Sequence, residues 1–171
     1  MTDDGFLDQT LGAMDLVFNI ARRLVPRPED AEDLVQETYL HALRAWKEGR
    51  RPDKVEPWLA TICLNLGRSA HRQRLRRPVE VDIDAIDLVS GSDGPEATVH
   101  AELDRRAVHD SLGSLPEEQR IAIALVDLAG LSTREAAQVM GTPNGTLLSR
   151  LHRGRRSLAF LVAPKVQERD R

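Results

Sequence analysis

Apolar residues recur along this chain at helical spacing, interrupted by proline, glycine or polar breaks. Leu11, Met14, Phe18, Ala21 and Val25 form one stripe, closed by Pro26 and Pro28. Pro28 opens the next helix, whose first turns hold Glu29, Asp30, Glu32 and Asp33, where negative charge complements the helix dipole. Ala31, Leu34, Val35, Thr38, Ala42 and Trp46 are its inward positions, and Gly49 ends it. Asp33, Gln36, Glu37, Leu40 and Arg44 fall on the outward side, so a leucine is set among polar groups. Such a face suits a protein partner, although an isolated exposed leucine is ordinary on any surface. Pro57 restarts a helix with Trp58, Ile62, Leu66 and Ser69 predicted inward. After Pro78, residues 79–95 mix Asp and Glu with Gly, Ser and Pro and carry no helical stripe. This reads as a flexible linker, with Val79, Val81 and Ile83 the only strand-like alternation.

Beyond it, Pro95 starts a helix with Val99, Leu103, Ala107 and Leu112 inward, ending near Gly113. Pro116 starts another, with Ile121, Leu125 and Leu128 as its stripe and Gly130 as its stop. Ser132 and Glu135 have the spacing of a capping box. Ala136, Val139 and Met140 continue that helix to Gly141, a cheap left-handed cap. Thr142 is placed to cap a last helix with Pro143 in its first position. Leu147, Leu151, Gly154 and Leu158 share one side of it, Gly154 allowing a close backbone approach. A mobile tail is expected from Ala163. The expected fold is all-α: two small helical domains, 1–77 and 96–171, joined by an acidic linker at 78–95, the second a four-helix domain with a helix-turn-helix.

Composition narrows the chemistry. Charged residues make up 30% and aromatics 4% of the 171, a helical-bundle profile. The single Cys63 rules out an internal disulfide and argues against a cysteine-based metal site. The acidic start MTDDGF is unlike a secretory signal, and no apolar run approaches a membrane span, so a cytoplasmic protein without membrane insertion is expected. The net charge of −3 is unevenly spread. Residues 78–104 hold eight acidic side chains and no Lys or Arg, whereas 1–77 and 105–171 are each slightly basic.

Two basic surfaces stand out. Between Pro143 and Lys165 no carboxylate occurs, and Gly145, Thr146, Ser149, His152, Arg153 and Arg156 gather opposite the apolar side, with Arg150 and Arg155 on the flanks. Short polar groups and arginines on such a helix can read base edges in the major groove and hold phosphates. From Arg68 to Arg77 there are five Arg and one His without an acid, a run that suits a phosphate backbone. Solvated helix faces are the ordinary alternative for both. No HExxH, Gly-rich phosphate loop or paired nucleophile and base occurs, so no catalytic residue, metal, cofactor or small-molecule substrate is assigned, and Cys63 reads as core.

Two segments together resemble a known family: PEDAEDLVQETYLHALRAW at 28–46 and LPEEQRIAIALVDLAGLSTREAAQVMGTPNGTLLSRLHRGRRSL at 115–158. They are similar to the two lobes of bacterial extracytoplasmic-function sigma factors, the small promoter-specificity subunits of RNA polymerase. The resemblance covers almost the whole chain, in order and spacing. It implies that Asp33, Gln36, Glu37 and Leu40 dock on the β′ clamp of core polymerase. Arg50, Arg51, Lys54, Asn65, Arg68 and Arg72 would meet the minus-10 element and the opened strand. Thr146, Ser149, Arg150, His152, Arg153 and Arg156 would meet the minus-35 element. It further implies a β-flap contact, a linker threaded through the polymerase channels, and an anti-sigma partner. The chain departs from many relatives at Leu148, where Lys or Arg is common, at Ser69, where an acid is common, and in an opening loop without an aromatic. A stand-alone helix-turn-helix regulator, with an N-terminal dimerisation or ligand lobe, is the competing reading from residues alone.

Overall fold

The computed structural model describes residues 4–76 and 108–167, and every regular element in them is helical. The expected linker, the strand-like alternation at 79–83 and most of the helix expected from Pro95 lie outside the described residues. The first lobe comprises α1 (Asp4–Thr10), a 3-10 turn (Leu11–Ala13), α2 (Met14–Leu24), α3 (Pro28–Lys47) and α4 (Val55–Arg76). The second comprises α5 (108–113), α6 (Glu117–Ile123), a π-helical turn (Ala124–Leu128), α7 (Thr133–Met140) and α8 (Asn144–Gln167).

In the first lobe α2, α3 and α4 pack on one another. Ala31, Leu34, Thr38, Ala42 and Trp46 are buried as the α3 pattern predicted, and Val35 is half-buried. Thr38 satisfies its hydroxyl by donating to the Leu34 carbonyl at 2.7 Å, which lets a polar group sit in the core. Phe6 on α1 meets Trp46 edge-on at 5.6 Å between centroids, and the Tyr39 hydroxyl donates to the Thr10 carbonyl at 2.9 Å. Those contacts fix α1 across α3. At Gly67 a Cβ would stand 2.9 Å from Leu24 Cδ1 and 3.2 Å from Leu24 Cβ, so glycine permits the close approach of α4 to α2.

Two predicted faces were out of phase. The first helix is interrupted at Leu11–Ala13, and the buried stripe runs through Ala13, Val17, Ile20 and Ala21, of which only Ala21 belongs to the expected one. Leu11, Met14 and Phe18 are consequently exposed rather than inward, and Val25 is only half-buried, beyond the helix end. On α4, which starts at Val55 rather than Pro57, the fully buried side chains are Leu59, Ala60, Cys63 and Leu64. Trp58, Ile62, Leu66 and Ser69 are half-buried instead. A helix covered on one side by α2 and α3 and approached by α7 has no single inward stripe to read.

In the second lobe α6 and α7 pack on α8. The π turn changes the phase of α6. Ala129 N–H donates to the Ala124 carbonyl and Leu131 N–H to the Leu125 carbonyl, longer steps than the α-helical one. Ile121 and Leu125 stay buried while Leu128 turns outward, 39% exposed. Pro116 lies at the N-cap of α6, one place before the helix it was expected to start.

The lobes touch. α4 packs on α7, and α2 packs on α6 and its π turn. No helix among the described residues is long and apolar enough to cross a membrane.

Candidate nucleic-acid and polymerase interfaces

The helix-turn-helix geometry is specified by its capping residues. Ser132 Oγ accepts from Glu135 N–H at 3.2 Å, and Glu135 Oε2 accepts from Ser132 N–H at 2.9 Å, a reciprocal capping box. Gly141, at φ +62°, closes α7 in the left-handed region. The N-cap of α8 is Pro143, whose carbonyl accepts from Leu147 N–H at 3.1 Å. Thr142 does not take the expected capping role, and its buried Oγ1 has no hydrogen-bond partner. Leu147, Leu151 and Gly154 are buried and Leu158 is half-buried, so α8 is held along its predicted apolar side. At Gly154 a Cβ would stand 2.9 Å from Ile123 Cδ1 and 3.3 Å from the Gln119 carbonyl. The close approach to α6 is therefore real. α8 continues past Ala163 to Gln167, where a tail had been expected.

Ser149, His152, Arg153 and Arg156 are exposed on the opposite side, and Thr146 is half-buried beside them. Arg153 Nε donates to its own helix at the Ser149 carbonyl, 3.3 Å away, a contact easily exchanged for a ligand. Arg150 differs: its Nη1 lies 2.8 Å from Glu118 Oε2, and its side chain is only 22% exposed. Arg155 is held by Asp127 through two hydrogen bonds, of 3.0 and 2.5 Å. The exposed Leu148 is an apolar break in this surface.

The six candidate cations and amides of the first lobe are distributed along the α3–α4 loop and α4. Arg50 pairs with Glu48. The Arg51 guanidinium lies 3.7 Å above the Trp46 ring and donates to the Trp46 carbonyl at 2.7 Å, so it shapes the loop as well as charging it. Lys54 Nζ donates to Glu135 Oε1 at 2.6 Å and Arg68 Nη2 to Glu118 Oε1 at 3.0 Å, both across the lobe boundary. Asn65 and Arg72 are exposed, Arg72 donating to Ser69 Oγ at 3.2 Å. Lys54, Ser132 and the Ser132 backbone hold the Glu135 carboxyl down at about 2, and the same pair raises the Lys54 ammonium above its ordinary value.

Asp33, Gln36, Glu37 and Leu40 lie together on the exposed face of α3, with Leu40 53% exposed. Beside them is a feature that the α3 pattern did not disclose: a groove of about 390 Å³ lined by Phe6, Leu7, Gln36, Tyr39, Leu40 and Leu43. It arises because α1 crosses α3. Leu7, Leu11, Met14 and Phe18 extend the exposed apolar surface on the first lobe, and Phe160, 79% exposed on α8, stands over a second groove formed with Leu115 and Pro116. Their spacings were visible in the sequence, but their exposure was not.

Burial pushes the Cys63 thiol up to about 12, which leaves it protonated and unreactive. Among the described residues no cluster of three or more His, Cys, Asp or Glu is placed to hold a metal ion.

Comparison with known proteins divides the chain in the same way. Residues 13–77 match the family described as sigma-70 region 2, and residues 105–158 the one described as sigma-70, region 4. The chain is 36% identical over 155 residues to the ECF RNA polymerase sigma factor SigE of Mycolicibacterium smegmatis, covering 90% of this chain and 60% of that one. It is 34% identical over 159 residues to the ECF RNA polymerase sigma-E factor of Escherichia coli, covering 88% of this chain and 83% of that one. Its fold is similar to that of the sigma factor RpoE of Bartonella quintana, solved in complex with the anti-sigma factor NepR. The TM-score is 0.76 at 30% identity, over 94% of this chain and 98% of that one.

Proposed function

Because the chain belongs to the extracytoplasmic-function sigma factors, which direct RNA polymerase to promoters, we propose that its two lobes divide docking, minus-10 and minus-35 recognition among separate surfaces. It is a transcription initiation factor and not an enzyme. Membership in the family removes the stand-alone regulator reading.

The proposed division assigns 1–77 to polymerase docking and minus-10 recognition, 78–95 to an acidic connector, and 96–171 to a four-helix minus-35 domain. Asp33, Gln36, Glu37 and Leu40 dock on the β′ clamp, carboxylates and amide meeting basic groups there. The observation that carries this reading is the outward face of α3, where Leu40, 53% exposed, follows the exposed carboxylates Asp33 and Glu37 along the same side of the helix. A lobe that only bound a ligand would have no use for it. Arg50, Arg51, Lys54, Asn65, Arg68 and Arg72 then engage the opened minus-10 strand, where a positively charged surface suits a single strand. Thr146, Ser149, Arg150, His152, Arg153 and Arg156 address the minus-35 element in the major groove. The second lobe also meets the β flap. The chain is cytoplasmic, and an anti-sigma factor is its expected partner, as NepR is of the Bartonella protein.

Reconstituted transcription with core polymerase over a library of genomic promoters tests the assignment. Asp33→Arg with Glu37→Arg is expected to abolish core binding while leaving the weak intrinsic DNA contacts unchanged. Arg153→Ala is expected to keep core binding and lose about 1–3 kcal/mol of promoter discrimination if Arg153 contacts a base edge. Equal loss of both activities in either variant contradicts the division.

A further inference from the structure

A cavity of about 660 Å³ is lined from both lobes, by Arg22 and Arg23 at the C-terminal end of α2, His71 on α4, His109 and Asp110 on α5, and Arg120 on α6. None of these side chains belongs to the docking or promoter surfaces assigned above. Three arginines and two histidines are thus gathered, among the described lining residues, with one carboxylate, Asp110. Arg23 Nη1 donates to His109 Nδ1, and Arg120 Nη1 donates to the Gly113 carbonyl at 3.3 Å, so neither guanidinium meets a negative charge there. The ion pairs among the described residues join other side chains and include none of the three arginines. The Nε groups of Arg23 and Arg120 are buried without a hydrogen-bond partner. Burial first, and then Arg22 and Arg120, lower the Arg23 guanidinium below its ordinary value. His109 is lowered by burial, Arg23 and Arg22, against a smaller opposing effect of Asp110. Like charges held together in this way cost free energy, and an anion placed between them removes that cost.

We propose that this cavity binds a small anion with two or more linked phosphates, either inorganic pyrophosphate or the phosphate tail of a nucleotide. The inference does not depend on the promoter assignments, since it uses none of their residues. Guanidinium groups suit phosphate because their planar fork can donate two parallel hydrogen bonds to a pair of its oxygens. Three of them around one cavity match a row of linked phosphates better than a single one. The volume agrees, lying within the range of roughly 300–1,000 Å³ common for small-molecule sites. Burial separates this cluster from the DNA-facing one: Arg22, Arg23 and Arg120 are half-buried, whereas Arg153 and Arg156 are exposed. A duplex backbone reaches exposed side chains, and a small anion can enter between half-buried ones. Because α2 and α4 supply one part of the lining and α5 and α6 the other, only the full chain completes the site.

The experiment titrates the full chain with pyrophosphate, GTP and sulfate by calorimetry, in magnesium-free buffer at constant ionic strength. Saturable binding of pyrophosphate or GTP is expected, with sulfate weaker by about tenfold or more. Arg22→Gln with Arg120→Gln is expected to lose about tenfold or more of that affinity. A charge-matched control, Arg44→Gln with Arg134→Gln, removes two exposed arginines that do not line the cavity and is expected to change it by less than about twofold. The anion should also raise the Tm of the parent and the control, but not that of the cavity variant. Should the double variant fail to fold, Arg22→Gln alone takes its place, with an expected loss of about threefold or more. GTP binding more tightly than pyrophosphate identifies a nucleotide as the ligand, and the reverse order the inorganic anion; either supports the site. The proposal falls if neither anion binds saturably, if sulfate binds as tightly, or if the control loses as much as the cavity variant. It falls likewise if the cavity variant keeps its pyrophosphate affinity and loses affinity for a mixed-sequence duplex, which would make the cluster a DNA contact. Failure of promoter-dependent transcription would count against the promoter assignments and leave these titrations untouched.

Discussion

At the scale of single residues, glycine and the caps do work that larger side chains cannot. Gly154 lets α8 approach α6 so closely that a Cβ would meet both Ile123 and the Gln119 backbone oxygen. Alanine in mid-helix ordinarily gains about 1 kcal/mol over glycine, but overpacking costs roughly 1–3 kcal/mol. Gly154→Val adds two more methyl groups and β-branching, and is expected to lose about 2 kcal/mol or more in denaturant unfolding, with the far-UV signal of the folded state retained. A stability equal to the parent's would show that α6 can yield there. Ser132 holds the start of α7. Ser132→Ala removes the Oγ acceptor of the Glu135 N–H and is expected to cost about 1 kcal/mol, measurable as a lower midpoint of urea unfolding. Both residues were recognised from spacing alone, since a capping box and a small residue on an apolar stripe are local signals.

At the scale of elements, the pattern was legible where a helix buries one side and ambiguous where it buries more. α3 and α8 each present one apolar and one polar side, and their predicted core residues are buried apart from Val35 and Leu158, which are half-buried. α4 defeated the same reasoning because it has neighbours in both lobes. The π turn at Ala124–Leu128 defeated it differently, since one extra residue in a turn rotates everything beyond it and swings Leu128 outward. Around the interruption at Leu11–Ala13 the predicted stripe held only in part: Ala21 is buried, whereas Leu11, Met14 and Phe18 are exposed. For the candidate sites, the α3 docking face and the exposed side of α8 follow from helical periodicity. The groove between α1 and α3 does not, because it exists only once Phe6 packs against Tyr39 and Trp46.

At the scale of the whole molecule, charge that looks free in the sequence is partly engaged. The Glu135 carboxyl is a direct reporter of that engagement: Lys54 is the largest cause of its descent to about 2, followed by Ser132. A carboxyl whose folded value is depressed stabilises the folded form above its ordinary value and loses that contribution as pH falls towards the folded value. The contribution of Glu135 should therefore persist through the ordinary carboxylate range near 4.5 and disappear between there and about 2. In an NMR titration of the Glu135 carboxyl, Lys54→Ala is expected to move the midpoint upward, though not fully to 4.5, because the Ser132 hydrogen bonds remain. An unmoved midpoint would place Lys54 away from Glu135 in solution.

The sequence by itself determined the all-helical class, the two-lobed order, the capped helix-turn-helix and the faces that α3 and α8 turn outward. These are consequences of periodicity and capping, which act over a few residues. Only the tertiary structure decided which cations are free. Lys54 is 81 positions from Glu135 in the chain and Arg68 is 50 from Glu118, and no local rule connects side chains so far apart. Their meeting depends on how α4 lies against α7 and how α2 lies against α6, which is a matter of packing between lobes.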